Sequence, residues 1–484
     1  MNKQNTYQPV IGLEIHIQLA TISKLFANDE NIFFATPNTR VSAITLGHPG
    51  TLPRTNIESI NLAIKMGLVC NSIIANEVIF DRKNYFYPDL PKGYQITQNT
   101  LPICNGGEIN IKVNGEIKTI FLNRIHLEED AGKSIHDMDI DYSYIDLNRA
   151  GTPLIELVTE PCLHSAEEAF LFVQEVQKIV RWIGISTGNL EEGAMRCDAN
   201  ISVRPLGSQV LGKKVEVKNI NSFKNIKKAI EFEIERMINL LENGAKIEQQ
   251  TRSFNADNNT TFAMRDKEDS NDYRYFIDPD LPPFTITNEY IEKIKNTLPP
   301  TPLSFENKFK NNYHLSNYDV EQLTETINIA TFYDHLVHKK NYYKPAANFV
   351  IGSIKEYLNY TNKNFEDIKN DTPQIQQLIE LVEEKKISSS FAGGSLMPIV
   401  LNNHINPVEY CTANNLFQLD DNSQIQDWIN EVIQSMPDKV QAYNQGKKGL
   451  IGLFMGEVKK RSKGKANPHI TTTLLEKTLL NLKK

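Results

Sequence analysis

The chain has 484 residues, enough for about three domains of ordinary size. Its 40% hydrophobic and 23% charged content is that of a soluble globular protein, and no run approaches the ~18 apolar residues that would span a bilayer. Together with the polar N-terminus, Met1 to Pro9, this excludes a membrane protein and predicts a cytoplasmic one. The five cysteines (Cys70, Cys104, Cys162, Cys197, Cys411) are scattered, with no Cys-x-x-Cys pair, so neither a disulfide framework nor a zinc site is expected. The net charge of −7 argues against a nucleic-acid partner, but it is unevenly spread. From Pro437 to Lys484 there are eleven Lys or Arg against three acids, a net +8 that leaves −15 for the rest. Such asymmetry fits a nucleic-acid-binding end or a solvated helix face.

The first informative stretch is Val10 to Leu19. Read with period two, Ile11, Leu13, Ile15, Ile17 and Leu19 share one face of a strand, and Gly12, Glu14, His16 and Gln18 share the other. Glu14 and His16 then sit side by side, about 7 Å apart at Cα. A carboxylate and an imidazole at that separation can share a divalent metal; a solvated strand face is the other reading.

Tyr85 to Tyr94 is rich in Pro and aromatics and reads as an ordered loop, a frequent place for function. Arg82 and Lys83 before it suit phosphate or are plain surface bases. Arg124 to Glu128 alternates again, with His126 and Glu128 on the polar face, and Glu129 and Asp130 open a charged turn. Leu154 to Val158 is a further strand. His164 to Ile183 has helical spacing, with Ser165 as N-cap and Gly184 as terminator. Met195 to Arg204 puts Arg196, Asp198, Asn200, Ser202 and Arg204 on one face, and Val215 to Lys218 puts Glu216 and Lys218 on one face. A second helix follows, capped by Asn221 or Ser222 and closed by Gly244.

Four strands thus share an apolar back and a polar front. If they pair in one antiparallel sheet, its front carries Glu14, His16, Glu128, Asp198 and Glu216 with Arg196, Arg204 and Lys218. Carboxylates with a His suit Mg2+ or Mn2+, and nearby Arg and Lys suit phosphates. Metal plus bases on one sheet is what phosphoryl transfer requires.

Arg274, between Tyr273 and Tyr275, serves phosphate or ribose contacts or is a charged surface strand. Pro299 to Pro302 marks a composition shift, with a mostly helical region from about 303 to 405. Ser388 to Ser395 superficially resembles an amidase nucleophile signature but lacks supporting residues and reads as a helix-to-helix turn. A small helical unit with a basic stretch closes the chain; the Gly-containing run Leu450 to Val458 suits close helix packing, and Gly464 loosens Lys459 to Lys465. P-loop and dinucleotide fingerprints are absent.

The segments at Glu14–His16, 81–98, 124–133, 146–161, 191–205 and 272–276, with Gly464 to Pro468, resemble the B-subunit of the bacterial and organellar Asp/Glu-tRNA(Asn/Gln) amidotransferases over essentially the whole chain. The resemblance implies an α+β fold: an antiparallel-sheet cradle similar to the glutamine synthetase catalytic fold (1–297), an all-α region (298–405) and a small basic helical tail domain that binds tRNA (406–484). It implies an ATP-dependent carbon–nitrogen ligase. The side-chain carboxylate of Glu-tRNA(Gln) or Asp-tRNA(Asn) is phosphorylated, then amidated with ammonia channelled from the glutaminase A-subunit, in a heterotrimer completed by a small C-subunit. Glu14, His16, Glu128, Arg196 and Lys218 become catalytic candidates. Metal candidates are Glu14, His16 and Glu128, then Glu129, Asp198 and Glu216. Arg196, Arg204, Lys218 and Arg274 are candidates for ATP, with Mg2+ or Mn2+ as the ion. Many relatives carry zinc-binding cysteine pairs after the first strand; Phe26 to Gly47 holds none here, so no zinc is expected and the loop is left to ordinary packing. The alternative is a non-catalytic tRNA-binding or assembly protein, which needs no carboxylates facing a polyanion.

Overall fold

The computed structural model describes residues 6–136, 139, 141–266, 273–418, 422–462 and 465–482. Gly464 and Asp272, both within segments singled out above, lie outside the described residues. The chain divides into two compact units, 1–299 and 300–484.

The first unit is built on a ten-stranded sheet. Its strands in chain order are β1 (Tyr7–Gln18), β2 (Ile73–Ile74), β3 (Cys104–Asn105), β4 (Glu108–Val113), β5 (Glu116–Glu129), β6 (Pro153–Thr159), β7 (Met195–Pro205), β8 (Val215–Ile220), β9 (Gln250–Asn255) and β10 (Thr260–Asp266). The spatial order is β10-β9-β8-β7-β1-β6-β5-β3-β2, with β4 paired to β5. β1 is therefore central. It pairs antiparallel with β7, bringing Glu14 opposite Asp198 and His16 opposite Arg196. On its other side it pairs antiparallel with β6, bringing His16 opposite Glu156. The sheet is mixed rather than purely antiparallel, because β8 and β9 run parallel. A parallel pair needs a crossover, and the helix Phe223–Glu242 supplies it.

The apolar back reads as the period-two pattern requires: Ile11, Leu13, Ile15 and Ile17 are at most 1% exposed. Two helices, α1 (Ala166–Trp182) and α2 (Phe223–Glu242), cover that side of the unit, packing on each other and on the sheet. In α1 the buried stripe is Ala169, Phe172, Val173, Val176 and Val180. Ser165 caps it by accepting from the Glu168 N–H at 3.1 Å, and Gly184 adopts φ +69° just past its end. In α2 the stripe includes Ile226, Ala229, Ile230 and Met237, and Ser222 is the cap. Each large apolar side chain in these stripes stabilises the fold by about 1.5–3 kcal/mol through burial. An acid at Ile15 would reverse that where no partner is available.

The loop after β1 is held by packing, with Phe26 buried against the Phe80 ring at 5.1 Å, and by polar contacts. Asp29 Oδ2 accepts from the Ser42 N–H at 3.1 Å, the Ser42 hydroxyl at 3.0 Å and the Thr45 hydroxyl. Lys24 Nζ donates to the Arg40 carbonyl at 2.7 Å, and Asn148 Nδ2 donates to the Thr36 carbonyl at 2.7 Å.

The second unit is helical among its described residues. Its residues from Ile425 to Leu479 enclose a core of their own around Phe454, Val458, Leu475 and Leu479. Two sequence expectations do not hold in this unit. Ser388–Ser395 is no turn: Ser388 caps a helix that runs through a π turn, Ala392–Leu396, into Met397–Asn403. A Cβ at Gly393 would lie 2.1 Å from Ser353 Oγ, so this glycine permits close contact with a second π turn, Val350–Ile354. In Ile451–Arg461, by contrast, Gly452 and Gly456 face open space, and packing falls to Phe454 and Val458.

Candidate functional site

The sheet's front opens into a cavity of about 770 Å3. Strand register alone brings charged groups from five strands to its floor. Glu14 and His16 come from β1, Glu156 from β6, and Arg124, His126 and Glu128 from β5. Arg196 and Asp198 come from β7, and Glu216 and Lys218 from β8.

These side chains form two groups. In the first, His16 Nε2 lies 3.4 Å from Glu128 Oε1 and 3.6 Å from Glu156 Oε2. His126 Nε2 approaches the same two carboxylates, at 3.7 Å from Glu128 and 3.2 Å from Glu156. The Thr97 hydroxyl donates to Glu128 Oε2 at 3.3 Å. In the second, Lys218 Nζ lies 2.6 Å from Asp198 Oδ2 and 3.1 Å from Glu216 Oε1. Asn200 donates to Glu14 Oε1 at 2.9 Å, and Thr251 donates to Glu216 Oε2 at 3.0 Å.

The donor atoms of His16, Glu128 and Glu156 lie within 4.8 Å of one another, as do those of Glu14, Asp198 and Glu216. One nitrogen with two carboxylates, and three carboxylates, are sets that suit Mg2+ or Mn2+.

Electrostatics reflects the crowding. Burial pushes the Glu14 carboxyl up, and Glu156 and Glu216 push it further. Burial opposes the charged form of His126, but Glu156 and Glu128 outweigh it and raise its pKa to about 9. Burial likewise opposes the Glu156 carboxylate, yet His126 and His16 hold it well below the usual range. Burial would lower Lys218; Asp198 and Glu216 instead hold it strongly protonated. Arg196 is raised by Asp130, 3.0 Å away. Carboxylates crowded together beside His126 and Lys218 are a place where a metal ion would take over the pairing that these cations now supply.

Three of the sequence candidates lie outside the cavity. Glu129 pairs with Lys92 and accepts the Ile96 N–H at 2.9 Å. Arg204 binds Gln8 Oε1 at 3.1 and 3.0 Å, near the outer end of β1. Arg274 is exposed, with φ +45°; its neighbours Tyr273 and Tyr275 line the cavity instead. Conversely, Glu156 was not among the sequence candidates, although the alternation within Leu154 to Val158 places it on the polar face. Lys83 and Tyr85 also line the cavity, whereas the adjacent Arg82 is tied to Asp278 at 2.8 Å and Asp280 at 2.7 Å.

Residues 9–292 match the family model of the GatB/GatE catalytic domain, and residues 331–479 match that of the GatB domain. The chain is 42% identical to the aspartyl/glutamyl-tRNA(Asn/Gln) amidotransferase B-subunit of Oleidesulfovibrio alaskensis, over 98% of this chain and 99% of that protein. The chain belongs to the amidotransferase B-subunit family. Likeness at the same coverage of both chains extends to the B-subunits of Legionella pneumophila strain Corby, at 44%, and Thermodesulfovibrio yellowstonii, at 43%. The catalytic-domain match spans the whole sheet except the first two residues of β1, and every cavity residue named above.

Proposed function

We propose that this chain is the activating member of a tRNA-dependent amidotransferase and that its cavity carries out ATP-dependent phosphorylation of an aminoacyl side-chain carboxylate. A carboxylate oxygen of Glu-tRNA(Gln) or Asp-tRNA(Asn) attacks the γ-phosphorus of ATP, and ADP leaves. Ammonia then attacks the acyl carbon, a proton is lost, and phosphate leaves with the bond electrons. The product is Gln-tRNA(Gln) or Asn-tRNA(Asn). The ammonia is supplied by a glutaminase A-subunit, held with this chain by a small C-subunit.

The observation that carries the reading is the pair of acidic groups on the two sides of Glu14 and His16. The first ion would be held by His16, Glu128 and Glu156, the second by Glu14, Asp198 and Glu216. Ions bound there would neutralise charge on the transferring phosphoryl group. Around them the protein's own groups fix geometry. His126 orients Glu128 and Glu156, Asn200 orients Glu14, and Lys218 bridges Asp198 and Glu216. Arg196, fixed by Asp130, adds positive charge on the β7 side. An acyl phosphate made on a metal-bearing sheet is also the chemistry of the glutamine synthetase fold, to which this unit is assigned on that ground. A tRNA-binding or assembly role alone would leave the six clustered metal-donor groups without a task, since carboxylates repel the RNA backbone.

The test uses the reconstituted heterotrimer, ATP, glutamine and Glu-tRNA(Gln). His16→Ala and Glu156→Gln are expected to lower amide formation by at least about 100-fold while tRNA affinity is unchanged. Amide formation at the wild-type rate in both would overturn the assignment.

A further inference from the structure

Among the described residues, four cations besides the histidines line the cavity: Lys83, Arg124, Arg196 and Lys218. They fall into two classes. Arg196 is paired with Asp130, and Lys218 is paired with Asp198 and Glu216. Their charge is already engaged by the protein's own acids. Among the described residues, neither Lys83 nor Arg124 forms an ion pair within 4.0 Å, although Arg124 is near enough to Glu156 to act on its charge.

Both are nevertheless held in place. Lys83 Nζ sits 4.7 Å from the centroid of the Tyr273 ring and 5.7 Å from that of Tyr85. Aromatic faces restrain an ammonium without neutralising it. Tyr275 lies 6.0 Å from Tyr273, ring to ring, and it feels the charges of both Arg124 and Glu156. Lys83 and Arg124 thus flank one tyrosine wall, beside the His16–Glu128–Glu156 group. Arg124 adds a second observation: its Nε is buried and has no hydrogen-bond partner. A buried guanidinium donor left without an acceptor is costly, and a ligand oxygen is the natural remedy.

We propose that Lys83 and Arg124 form the oxyanion-receiving pair of this cavity, binding the oxygens of the group that reacts beside the His16–Glu128–Glu156 cluster. This rests on the phosphoryl-transfer reading above and moves the anion-binding role away from Arg204 and Arg274. Two oxyanions of the proposed reaction fit: the terminal phosphoryl group of the nucleotide and the side-chain carboxylate of the aminoacyl ester. Guanidinium and ammonium donors suit both.

The experiment compares Lys83→Gln, Arg124→Gln and Arg124→Lys in the heterotrimer. One arm measures equilibrium binding of a non-hydrolysable ATP analogue; the other measures KM for Glu-tRNA(Gln). Each Gln variant is expected to weaken one of these by about 10–100-fold, with Arg124→Lys recovering most of the loss. A change in analogue binding identifies the phosphoryl group, and a change in KM identifies the carboxylate. Unchanged affinity for uncharged tRNA(Gln), which lacks the aminoacyl carboxylate, shows that the variants are folded. If both arms stay within about threefold of wild type, well below the expected effect, while His16→Ala is inactive, the pair is wrong and the phosphoryl-transfer reading survives. If His16→Ala is fully active as well, the reading itself falls and the pair falls with it.

Discussion

His126 Nε2 lies 3.2 Å from Glu156 Oε2 in the cavity floor, at the junction of β5 and β6. The sequence places His126 on a polar strand face but gives no sign that Glu156 meets it. Together they carry part of the site's pH response. The folded-state pKa of His126 is raised from 6.5 to about 9, so its contribution to stability is complete below about 6.5 and is lost as pH rises through about 9. Glu156 is shifted down from 4.5, so its contribution is present above that value and is lost as pH falls through the lowered folded value. The pair therefore stabilises most between about 4.5 and 6.5. The metal-free protein is expected to show a Tm that declines as pH rises from 6.5 through about 9, and His126→Gln should flatten that decline. A parallel decline in the variant would place the titrating group elsewhere.

Asp29 gathers three hydrogen bonds from Ser42 and Thr45 in the loop after β1. Asp29→Ala is expected to cost about 2 kcal/mol, the scale of a lost bond to a charged acceptor. It should also speed proteolysis between residues 26 and 47. Equilibrium urea unfolding and a timed digest check both. An unchanged urea midpoint would assign the loop's order to other interactions.

Gly393 faces Ser353 across two π turns. A methyl at this position would lie 2.1 Å from the Ser353 hydroxyl and 2.8 Å from its Cβ. Gly393→Ala is expected to destabilise by about 1–3 kcal/mol through overpacking. Adding Ser353→Gly should restore part of the loss, read as non-additivity in a double-mutant cycle. Strict additivity would mean that the two turns do not bear on each other.

The basic end makes a prediction in solution. Lys459, Lys460 and Lys465 border one cleft with Ser388 and Ser395. On the proposed tRNA-binding role, neutralising all three to Gln should weaken tRNA binding uniformly across sequences. It should also reduce the slope of log K against log salt by about one for each phosphate no longer neutralised. Equal slopes over a salt titration would assign these lysines to solvation of a helix face.

How much was legible depended on what a single strand can show. The alternation through Val10–Leu19 is a local property, so Glu14 and His16 could be placed on one face from the sequence alone. Asp198, Glu216 and Glu128 followed for the same reason. Glu156 obeys the same rule, but it sits alone among Leu154, Ile155, Leu157 and Val158. Only strand order, with β6 between β1 and β5, gives it His16 and His126 as neighbours. Arg82 and Lys83 are adjacent in sequence and opposite in fate. One is locked by Asp278 and Asp280, 196 and 198 residues away in the chain; the other faces the cavity. Alternation puts the two on opposite faces of the strand Asp81–Asn84, but which face meets the cavity is set by partners far along the chain. The parallel β8–β9 pairing was hidden because a helix between two strands reads alike whichever way the second strand runs. Gly452 and Gly393 show the same limit: a glycine signals close approach only when something stands opposite it.

The central claim is that the groups around Glu14 and His16 transfer a phosphoryl group to an aminoacyl carboxylate. The most direct measurement is a single turnover of the heterotrimer with Glu-tRNA(Gln) and γ-labelled ATP, without glutamine or ammonia. Phosphoryl label is predicted on the aminoacyl-tRNA in the wild type and absent in His16→Ala and Glu156→Gln. Equal labelling in all three would contradict the claim, because the transfer would then proceed without the residues assigned to it.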